Sequence, residues 1–365
     1  MKTPVLREIH ERSGGRFAEY AGWMLPMDYG SAVREVRAVR TAAGLFDVSH
    51  MGRFDMYGES SLRGLQNLLT NDLPRLADAG GQYTLICNTE GGVKDDLIIY
   101  RRSYDLYYLV VNAANLDKDK GWISQRLPTG AGLVDCTDDT ALFALQGPES
   151  AAILARAGMP EVAEVRRFHL ADGRIAGVHI TAARTGYTGE DGFEITCRSR
   201  DAELVWTTLL SAGEPEGLVP CGLAARDVLR IEAGLPLYDH EMDEQTTPVE
   251  AGLMRWVKLD KGAFIGRDAI AARLRVGPEK KLIGVRMEGR DVPRAGDAVQ
   301  SSAGEGRVTS GTFSPTLGCG VAMAYMPPEI AEGERVQVIV HGKPRPGWLR
   351  KLPLYSRGAK PADQP

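Results

Sequence analysis

The chain has 365 residues and a formal net charge of −4, with 43% hydrophobic and 25% charged residues. These proportions are ordinary for a soluble globular protein, and the length exceeds what one core usually supports, so two or three domains are expected. Because no block of Lys and Arg occurs, binding to nucleic acids without sequence preference is disfavoured.

The cysteines and the apolar segments indicate the compartment. Five cysteines lie far apart and none forms a CxxC pair, which is typical of reduced thiols rather than of a disulfide framework. No window is apolar for long enough to span a bilayer, and the N-terminal segment has the features of neither a signal nor a transit peptide. We therefore expect a cytoplasmic protein.

The first third of the chain is predicted to alternate short strands with amphipathic helices. Ser31 can cap a helix that carries Val33, Val36 and Val39 on one face. Gly44 would end this helix. Apolar periodicity also predicts strand and loop at 17–30, a strand that enters a turn at 45–52, a helix at 60–69 and a strand at 82–87.

Residues 91–100, GGVKDDLIIY, combine a turn, two acids and a strand. Gly91 and Gly92 make the turn, and residues 97–100 are an apolar run typical of a buried strand. Because neighbouring side chains of a strand point to opposite faces, one of Asp95 and Asp96 can face solvent while the other turns inward. An inward acid must be paired or used in chemistry. The alternative is a turn acid that caps Gly92 or its neighbours.

The segment from 106 to 275 continues the mixture of strands and helices. Pro148 fits the first turn of a helix that runs to residue 158. Asp201 can cap a helix that turns Leu204, Val205 and Leu209 inward. The other predicted elements are a strand at 106–111 with Asn112 at its exit, a helix at 115–122, strands at 141–145, 178–182 and 256–259, and helices at 222–233 and 266–275.

Residues 184–194, RTGYTGEDGFE, form a glycine-rich loop between two strands. The loop lacks the Lys-Ser or Lys-Thr of a phosphate loop, and no helix follows it as in a dinucleotide-binding turn. Its glycines would let the backbone approach a flat ligand. Tyr187 could stack on such a ligand, and Glu194 could accept paired hydrogen bonds from an amidine-like edge. An ordinary hairpin tip is the alternative.

Two charged segments further along have simpler alternatives. Arg226 and Arg230 lie one helical turn apart, where they could bind a carboxylate or form ion pairs within the helix. Residues 239–244, DHEMDE, fail the HExxH pattern because Glu244 stands where the second histidine should be, so we predict no metal site. We interpret this segment as a loop that fixes its own backbone.

The character of the sequence changes after Gly277. Short strands separated by Gly and Pro turns are predicted at 282–287, 307–312, 321–325 and 335–340, a pattern typical of a small β-barrel or sandwich. Before that point, the irregular mixture of strands and helices indicates an α+β fold. We therefore predict a domain boundary between residues 277 and 278.

Seven motifs that occur in order resemble those of one known family. They are LFDVSHMG at 45–52, GGVKDDLIIY at 91–100, ALQGP at 144–148, RTGYTGEDGFE at 184–194, GLAARDVLRIEAGLPLY at 222–238, TTPVEAGL at 246–253 and TSGTFSPTLG at 309–318. Together, from about residue 3 to residue 357, they closely resemble the aminomethyltransferase (T-protein) family of the glycine cleavage system.

The resemblance implies a fold and a reaction. The fold would be a three-domain cloverleaf around tetrahydrofolate, with two interleaved, discontinuous α+β domains in 1–277 and a C-terminal β-barrel in 278–365. The aminomethyl group would come from the lipoyl arm of a carrier protein, the H-protein. Its methylene would pass to tetrahydrofolate as co-substrate, giving 5,10-methylenetetrahydrofolate, ammonia and the dihydrolipoyl carrier. No metal, nucleic acid or membrane is implied.

The resemblance also assigns roles to single residues. Asp96 would be closest to the chemistry, where it could accept a proton from N5 of the folate or stabilise a cationic methylene. Six more residues would bind the substrates: Tyr83, Asn112 and Tyr187 along the folate, Glu194 at its 2-amino pyrimidine edge, Arg226 at its acidic tail or in the pocket wall, and Arg357 at the entrance for the lipoyl arm.

One position departs from the family, and two other functions stay open. Asp239 follows LPLY where the family commonly has Gly, and Asp tolerates φ > 0 better than most residues, so we expect a local effect. A folate-dependent demethylase would share the fold, but the RTGYTGEDG and TTPVEAG segments disfavour it. A non-catalytic folate-binding scaffold would carry a KGCYxGQE-like motif, where this chain has KGAFIGRDA. The retained Asp96 also disfavours a scaffold.

Overall fold

The computed structural model describes residues 1–358 and contains eight α-helices and nineteen β-strands in that range. The helices are α1 (Arg7–Arg12), α2 (Ala32–Thr41), α3 (Ser61–Leu68), α4 (Leu116–Ser124), α5 (Ser150–Arg156), α6 (Ala202–Gly213), α7 (Leu223–Glu232) and α8 (Arg267–Val276).

The strands carry most of the regular structure. They are β1 (Arg16–Tyr20), β2 (Trp23–Asp28), β3 (Gly44–Asp47), β4 (Gly52–Tyr57), β5 (Gly81–Cys87), β6 (Val93–Ser103), β7 (Leu106–Val111), β8 (Gly132–Asp135), β9 (Thr140–Gln146), β10 (Leu170–Ile175), β11 (Val178–Ala183), β12 (Gly192–Arg198), β13 (Val219–Cys221), β14 (Lys281–Met287), β15 (Ala298–Ser301), β16 (Gly304–Ser314), β17 (Cys319–Met326), β18 (Arg335–Val340) and β19 (Lys343–Arg350).

The chain divides into two compact units, each made of segments that are distant in sequence. The first unit comprises Met1–Ile86, Asp95–Gly186 and Glu190–Arg226. The second comprises Cys87–Lys94, Tyr187–Gly189 and the residues from Asp227 onward. The boundary between residues 277 and 278, and the two interleaved domains before it, stay predictions.

The first unit is built on two sheets. One has the strand order β5-β6-β7-β4-β8, and the other has the order β10-β11-β12-β9-β3-β13, in which β13 runs parallel to β3. Phe143 of β9 and Trp206 of α6 meet edge to face in a hydrophobic core of this unit, with their ring centroids 5.2 Å apart. The five-stranded sheet places β6 between β5 and β7, so residues of those two strands flank the acids of β6.

The second unit contains a closed barrel of six strands in the order β14-β17-β16-β15-β18-β19, with β19 pairing back to β14. Alternate side chains such as Val285, Val299 and Val338 fill its interior and are fully buried. The barrel confirms the predicted C-terminal fold, and the mixed sheets and helices before it confirm the α+β class.

Most predicted helices are present. Helix α2 shows how closely the predicted cap, buried face and end of a helix agree with the structure. The amide of Arg34 donates to Oγ of Ser31 at 3.3 Å, which confirms the predicted cap. Val36 and Val39 are buried, but Val33 is exposed because it lies on the solvent side of the helix. The helix ends at Thr41, and Gly44 begins β3 instead of ending α2.

Several local predictions are wrong. Pro148 precedes the helix that it was expected to begin, because α5 starts at Ser150. The side chain of Asp201 makes no capping hydrogen bond to α6, and Leu204 is 48% exposed. The strand expected at 256–259 is absent, because the chain there leaves a short 3-10 helix, Met254–Trp256, and stays irregular.

The cysteines agree with the expectation of reduced thiols. All five cysteines are free, and four of them are buried. Within residues 1–358, no helix is long and apolar enough to cross a membrane.

Candidate active site

Asp95 and Asp96 lie near the start of β6 and point to opposite faces of the sheet, as the alternation of a strand requires. Asp95 is fully buried, whereas Asp96 keeps partial exposure. Neither acid caps the preceding turn, because the amide of Gly92 donates to Oδ1 of Asn88 at 2.8 Å. The capping interpretation is therefore wrong, and both acids need another explanation.

Asp96 is held between two donors that come from the strands on either side of β6. The hydroxyl of Tyr83 on β5 donates to Oδ2 of Asp96 at 2.8 Å. The carboxamide nitrogen of Asn112, at the exit of β7, lies 2.7 Å from Oδ1 and 3.1 Å from the backbone oxygen of Asp96. The structure thus brings together three of the residues that the sequence selected.

The electrostatic setting of Asp96 suits proton transfer near neutral pH. Burial, and then the charge of Asp95, raise the pKa of Asp96 to about 7, while the hydrogen bonds from Tyr83 and Asn112 oppose the rise. A carboxyl that is partly ionised near neutral pH can both take up and release a proton. Its environment therefore permits general-base catalysis.

Behind Asp96, a second layer of hydrogen bonds surrounds Asp95. Asp95 Oδ1 accepts from the carboxamide nitrogens of Asn112 at 2.8 Å and Asn115 at 2.6 Å. The amide of Asn112 lies 3.3 Å from Asp95 Oδ2. Burial, and then the charge of Asp95 beside it, raise the pKa of the Asp119 carboxyl. Asn112 therefore links the buried acid to the accessible one.

Glu194 lies at the start of β12 and joins a short hydrogen-bonded chain. Oγ1 of Thr185 donates to Oε2 of Glu194 at 2.8 Å, and the hydroxyl of Tyr100 lies 2.9 Å from the same Oγ1. Tyr100 follows Asp96 by four residues on β6, so the two side chains share a face of the sheet. The chain therefore connects Glu194 to the face of β6 that carries Asp96.

Arg226 acts electrostatically on Glu194. Burial raises the pKa of Glu194, while the hydrogen bond from Thr185 and the charge of Arg226 lower it. Burial, and then Arg226, lower the pKa of His50 to about 3, so His50 is neutral at physiological pH. Arg226 and Glu194 thus belong to one region of the first unit, with His50 beside Arg226.

Arg230 has a structural role in the second unit, as its ion-pairing alternative predicts. It is 1% exposed, and its Nη1 lies 2.7 Å from Oε2 of Glu241 while its Nε lies 2.8 Å from Oδ1 of Asp227. Ser310 Oγ also accepts from Arg230 at 2.7 Å. Arg230 therefore belongs to the second unit, whereas Arg226, one helical turn earlier, belongs to the first.

The acidic segment at 239–244 fixes its own backbone, as expected. Asp239 has φ +67°, the conformation that its place in a usual glycine position suggested. Glu241 accepts from the amide of Leu237 at 3.0 Å as well as from Arg230. Among residues 1–358, no group of His, Cys, Asp and Glu side chains has an arrangement that could hold a metal ion.

The two remaining candidate residues, Tyr187 and Arg357, lie in the second unit. Tyr187 is half-buried and its hydroxyl donates to the backbone oxygen of Pro236. This bond ties the hydroxyl end of the ring to the backbone of the second unit. Arg357 is exposed, near the end of the described range. The proposed roles of both residues stay predictions.

Sequence reasoning missed the supporting residues Asn115, Asp119, Thr185 and Tyr100. The alternating charges of the segment LDKDK are typical of a solvent-exposed helix, so they do not predict that Asp119 is buried. One signal was available, because Asn115, which directly precedes α4, is four residues before Asp119, a spacing that puts two side chains on the same side of a helix. The contacts of Tyr100 with Thr185 depend on pairing between distant segments, which local sequence does not reveal.

Two family models match the chain. The model of the GCVT N-terminal domain matches residues 6–261. The model of the glycine cleavage T-protein C-terminal barrel domain matches residues 280–356. The two matches together span most of the sequence.

Individual proteins are similar over nearly the whole length. The aminomethyltransferase from Halalkalibacterium halodurans is 43% identical to this chain, and the match covers 98% of this chain and 98% of that protein. The aminomethyltransferase from Symbiobacterium thermophilum is 45% identical, and the match covers 97% of each. The crystal structure of glycine cleavage system aminomethyltransferase T from Bartonella henselae has a TM-score of 0.91 and 34% identity, and the match covers 98% of both chains.

Proposed function

Because the chain belongs to the aminomethyltransferase (T-protein) family of the glycine cleavage system, we propose that Asp96 is the catalytic residue of its reaction. The chain is a tetrahydrofolate-dependent aminomethyltransferase, which selects the first of the three functions that the sequence left open. The position of Asp96 between Tyr83 and Asn112, in a setting that raises its pKa to about 7, carries the proposal.

The reaction needs a proton acceptor close to the folate. The methylene leaves the carrier sulfur and the amine nitrogen and becomes bonded to N5 and N10 of tetrahydrofolate. Both folate nitrogens lose a proton, while the departing amine and sulfur each gain one. The carbon is not oxidised or reduced, so the protein contributes by positioning two substrates and by moving protons. Asp96 accepts the proton from N5.

The residues around Glu194 bind the folate in this proposal. Glu194 accepts paired hydrogen bonds from the 2-amino pyrimidine edge, and Thr185 orients its carboxylate. Arg226 contributes positive charge beside Glu194, where it can meet the acidic tail of the folate or order the wall of the site. Tyr83 and Asn112 contact the reacting end while they hold Asp96.

The donor in this proposal is a lipoylated carrier protein, the H-protein, whose arm bears the aminomethyl group on sulfur. Membership in the glycine cleavage family supports this partner. Tyr187 packing beside the folate and Arg357 at the lipoyl entrance stay predictions from the resemblance, as does the cytoplasmic location.

A single-turnover assay tests the proposal. The protein is mixed with tetrahydrofolate and the aminomethylated carrier, and ammonia and methylenetetrahydrofolate are followed together. We expect stoichiometric release of both by the wild type. We expect a loss of about 10²-fold or more in Asp96→Asn, because general-base catalysis supplies a factor of that order.

The controls separate binding from chemistry. Tetrahydrofolate affinity should change little in Asp96→Asn, and Asp117→Asn, an exposed change on α4, should behave as wild type. Near-normal turnover in Asp96→Asn would exclude Asp96 as the catalytic group. Binding of folate by the wild type without either product would instead exclude the carrier as donor.

A further inference from the structure

Asp119 is a buried acid on α4 that the reaction described above does not use. Its residue is 0% exposed, and neither oxygen of its carboxyl receives an N–H or hydroxyl donor from residues 1–358. The group that it meets is the carboxyl of Asp95. An ionised carboxylate in such surroundings would lose its hydration without compensation.

Asp95 differs from Asp119 in the number of donors that it receives. Two carboxamides and one backbone amide reach it, from Asn112 and Asn115. A hydrogen bond between two carboxyl groups requires one proton, and the proton lies on the group whose charge is less well stabilised. That group is Asp119, so Asp95 carries the negative charge.

The charges around Asp119 agree with this assignment. Burial, and then the charge of Asp95, raise the pKa of Asp119 to about 11. The charge of Asp96 raises it as well, and the opposing charge of Lys118 on the same helix lowers it. Three acids therefore share this region, and one of them is held neutral.

We propose that Asp119, in its neutral form, is a positioning residue that donates a hydrogen bond to Asp95 and so holds the Asn112 carboxamide against Asp96. The carboxamide nitrogen of Asn112 reaches Oδ1 of Asp95 at 2.8 Å and Oδ1 of Asp96 at 2.7 Å. Both of its hydrogens are then used, which fixes the orientation of the amide. This inference rests on the proposed role of Asp96, but its first test does not.

The first test is the pH dependence of folding stability in Asp119→Asn. An acid that is neutral in the folded protein and ionised in the unfolded chain makes the wild type less stable as pH rises. The Asn variant lacks this proton but keeps a donor. The ratio of the folding equilibrium constant of Asp119→Asn to that of the wild type should therefore rise about tenfold per pH unit from about pH 6 to about pH 9.

The exposed Asp117→Asn serves as the matched control for stability, because it should show no such trend. An Asp119→Asn protein whose stability follows the wild type at every pH would overturn the proposal, since Asp119 would then be ionised in the folded state. The outcome does not depend on catalysis, so it decides about Asp119 even if Asp96 is not the catalytic group.

The second test is single-turnover activity across pH with tetrahydrofolate and the aminomethylated carrier. Asp119→Leu keeps the branched shape of the side chain but removes the donor, and we expect turnover about tenfold slower, as for one lost hydrogen bond to a charged group. Without that donor, Asp95 takes up a proton more readily. The charge beside Asp96 then falls, and the acidic limb of the rate profile moves to lower pH.

Rescue by the conservative change completes the second test. Asp119→Asn restores a donor and should bring turnover back to within about threefold of wild type, at an unshifted pH profile. Equal loss in the Asn and Leu variants would overturn the proposal, because a neutral donor would then be insufficient. A Leu variant that matches the wild type in rate and pH profile would overturn it too.

Discussion

The hydroxyl of Tyr83 donates a 2.8 Å hydrogen bond to Oδ2 of Asp96, and this bond opposes the effect of burial on the carboxyl. Because the bond stabilises the ionised form, Tyr83→Phe should raise the pKa of Asp96 further. As the pH falls, the variant then loses the carboxylate, and the activity that depends on it, at a higher pH than the wild type does. We expect the acidic limb of turnover to move up by about one pH unit.

The measurement is the pH profile of single turnover for Tyr83→Phe, with Tyr104→Phe as control because Tyr104 is 68% exposed. The rate should fall several-fold near pH 7 and recover above pH 8. A limb displaced to lower pH, or a loss that is uniform across pH, would contradict the assignment of this limb to Asp96.

Glu194 should be needed for folate affinity more than for turnover at saturation. Glu194→Gln keeps the shape and removes the charge that Thr185 orients. Loss of charge-assisted bonds of about 1.5–3 kcal/mol corresponds to a weakening of roughly 10- to 100-fold in the Kd for tetrahydrofolate. Titration calorimetry compares this variant with Glu8→Gln, whose side chain is exposed. An unchanged Kd would remove Glu194 from the binding site.

The pair of Arg230 and Glu241 should stabilise the second unit far more than a surface pair does. The side chains of Arg230 and Glu241 are 1% and 0% exposed, and Nη1 of Arg230 lies 2.7 Å from Oε2 of Glu241. Glu241→Ala leaves a buried guanidinium without this partner, so we expect a loss of about 3–5 kcal/mol in the free energy of unfolding. The half-exposed pair of Arg7 and Glu11 gives the comparison, and Glu11→Ala should cost about 0–1 kcal/mol. Similar losses in urea titrations of both variants would refute the distinction.

Gly92 should tolerate no side chain. A Cβ there would lie 1.8 Å from the backbone oxygen of Glu244, so Gly92→Ala must displace backbone and should lower the free energy of unfolding by about 2 kcal/mol. Gly121 within α4 has open space around the same position, and Gly121→Ala should stabilise by about 0.5–1 kcal/mol. Thermal unfolding should therefore move in opposite directions for the two variants.

The parts of the structure that local sequence predicts are those governed by local physics. The period of two placed Asp95 and Asp96 on opposite faces of β6, and the capping preference of Ser31 located the start of α2. Four regular strands predicted the barrel. Strand β19 was missed because it contains Pro344 and Pro346, and proline is uncommon within strands. Short strands such as β15 give too little pattern to detect.

The parts that sequence did not predict depend on pairing between distant segments. Nothing local shows that Asp119 faces Asp95 or that Tyr100 meets Thr185, because these contacts exist only after the sheets assemble. The strand expected at 256–259 was wrong for the same reason. An apolar run forms a strand only where an edge is available to pair with it, and these residues instead hold the end of the short 3-10 helix Met254–Trp256 and an irregular segment.

The burial of the thiols has a consequence for the chemistry that the protein handles. Burial raises the pKa of Cys87 and of Cys197 to about 12, and burial followed by the charge of Asp55 raises the pKa of Cys136 to about 11. At pH 7 their reactive thiolate fraction is then about 10⁻⁴ or less. A disulfide such as that of an oxidised lipoyl arm is attacked only by a thiolate, so it finds almost no partner for exchange at these cysteines. A mixed disulfide between such an arm and any of the three cysteines should therefore form only slowly.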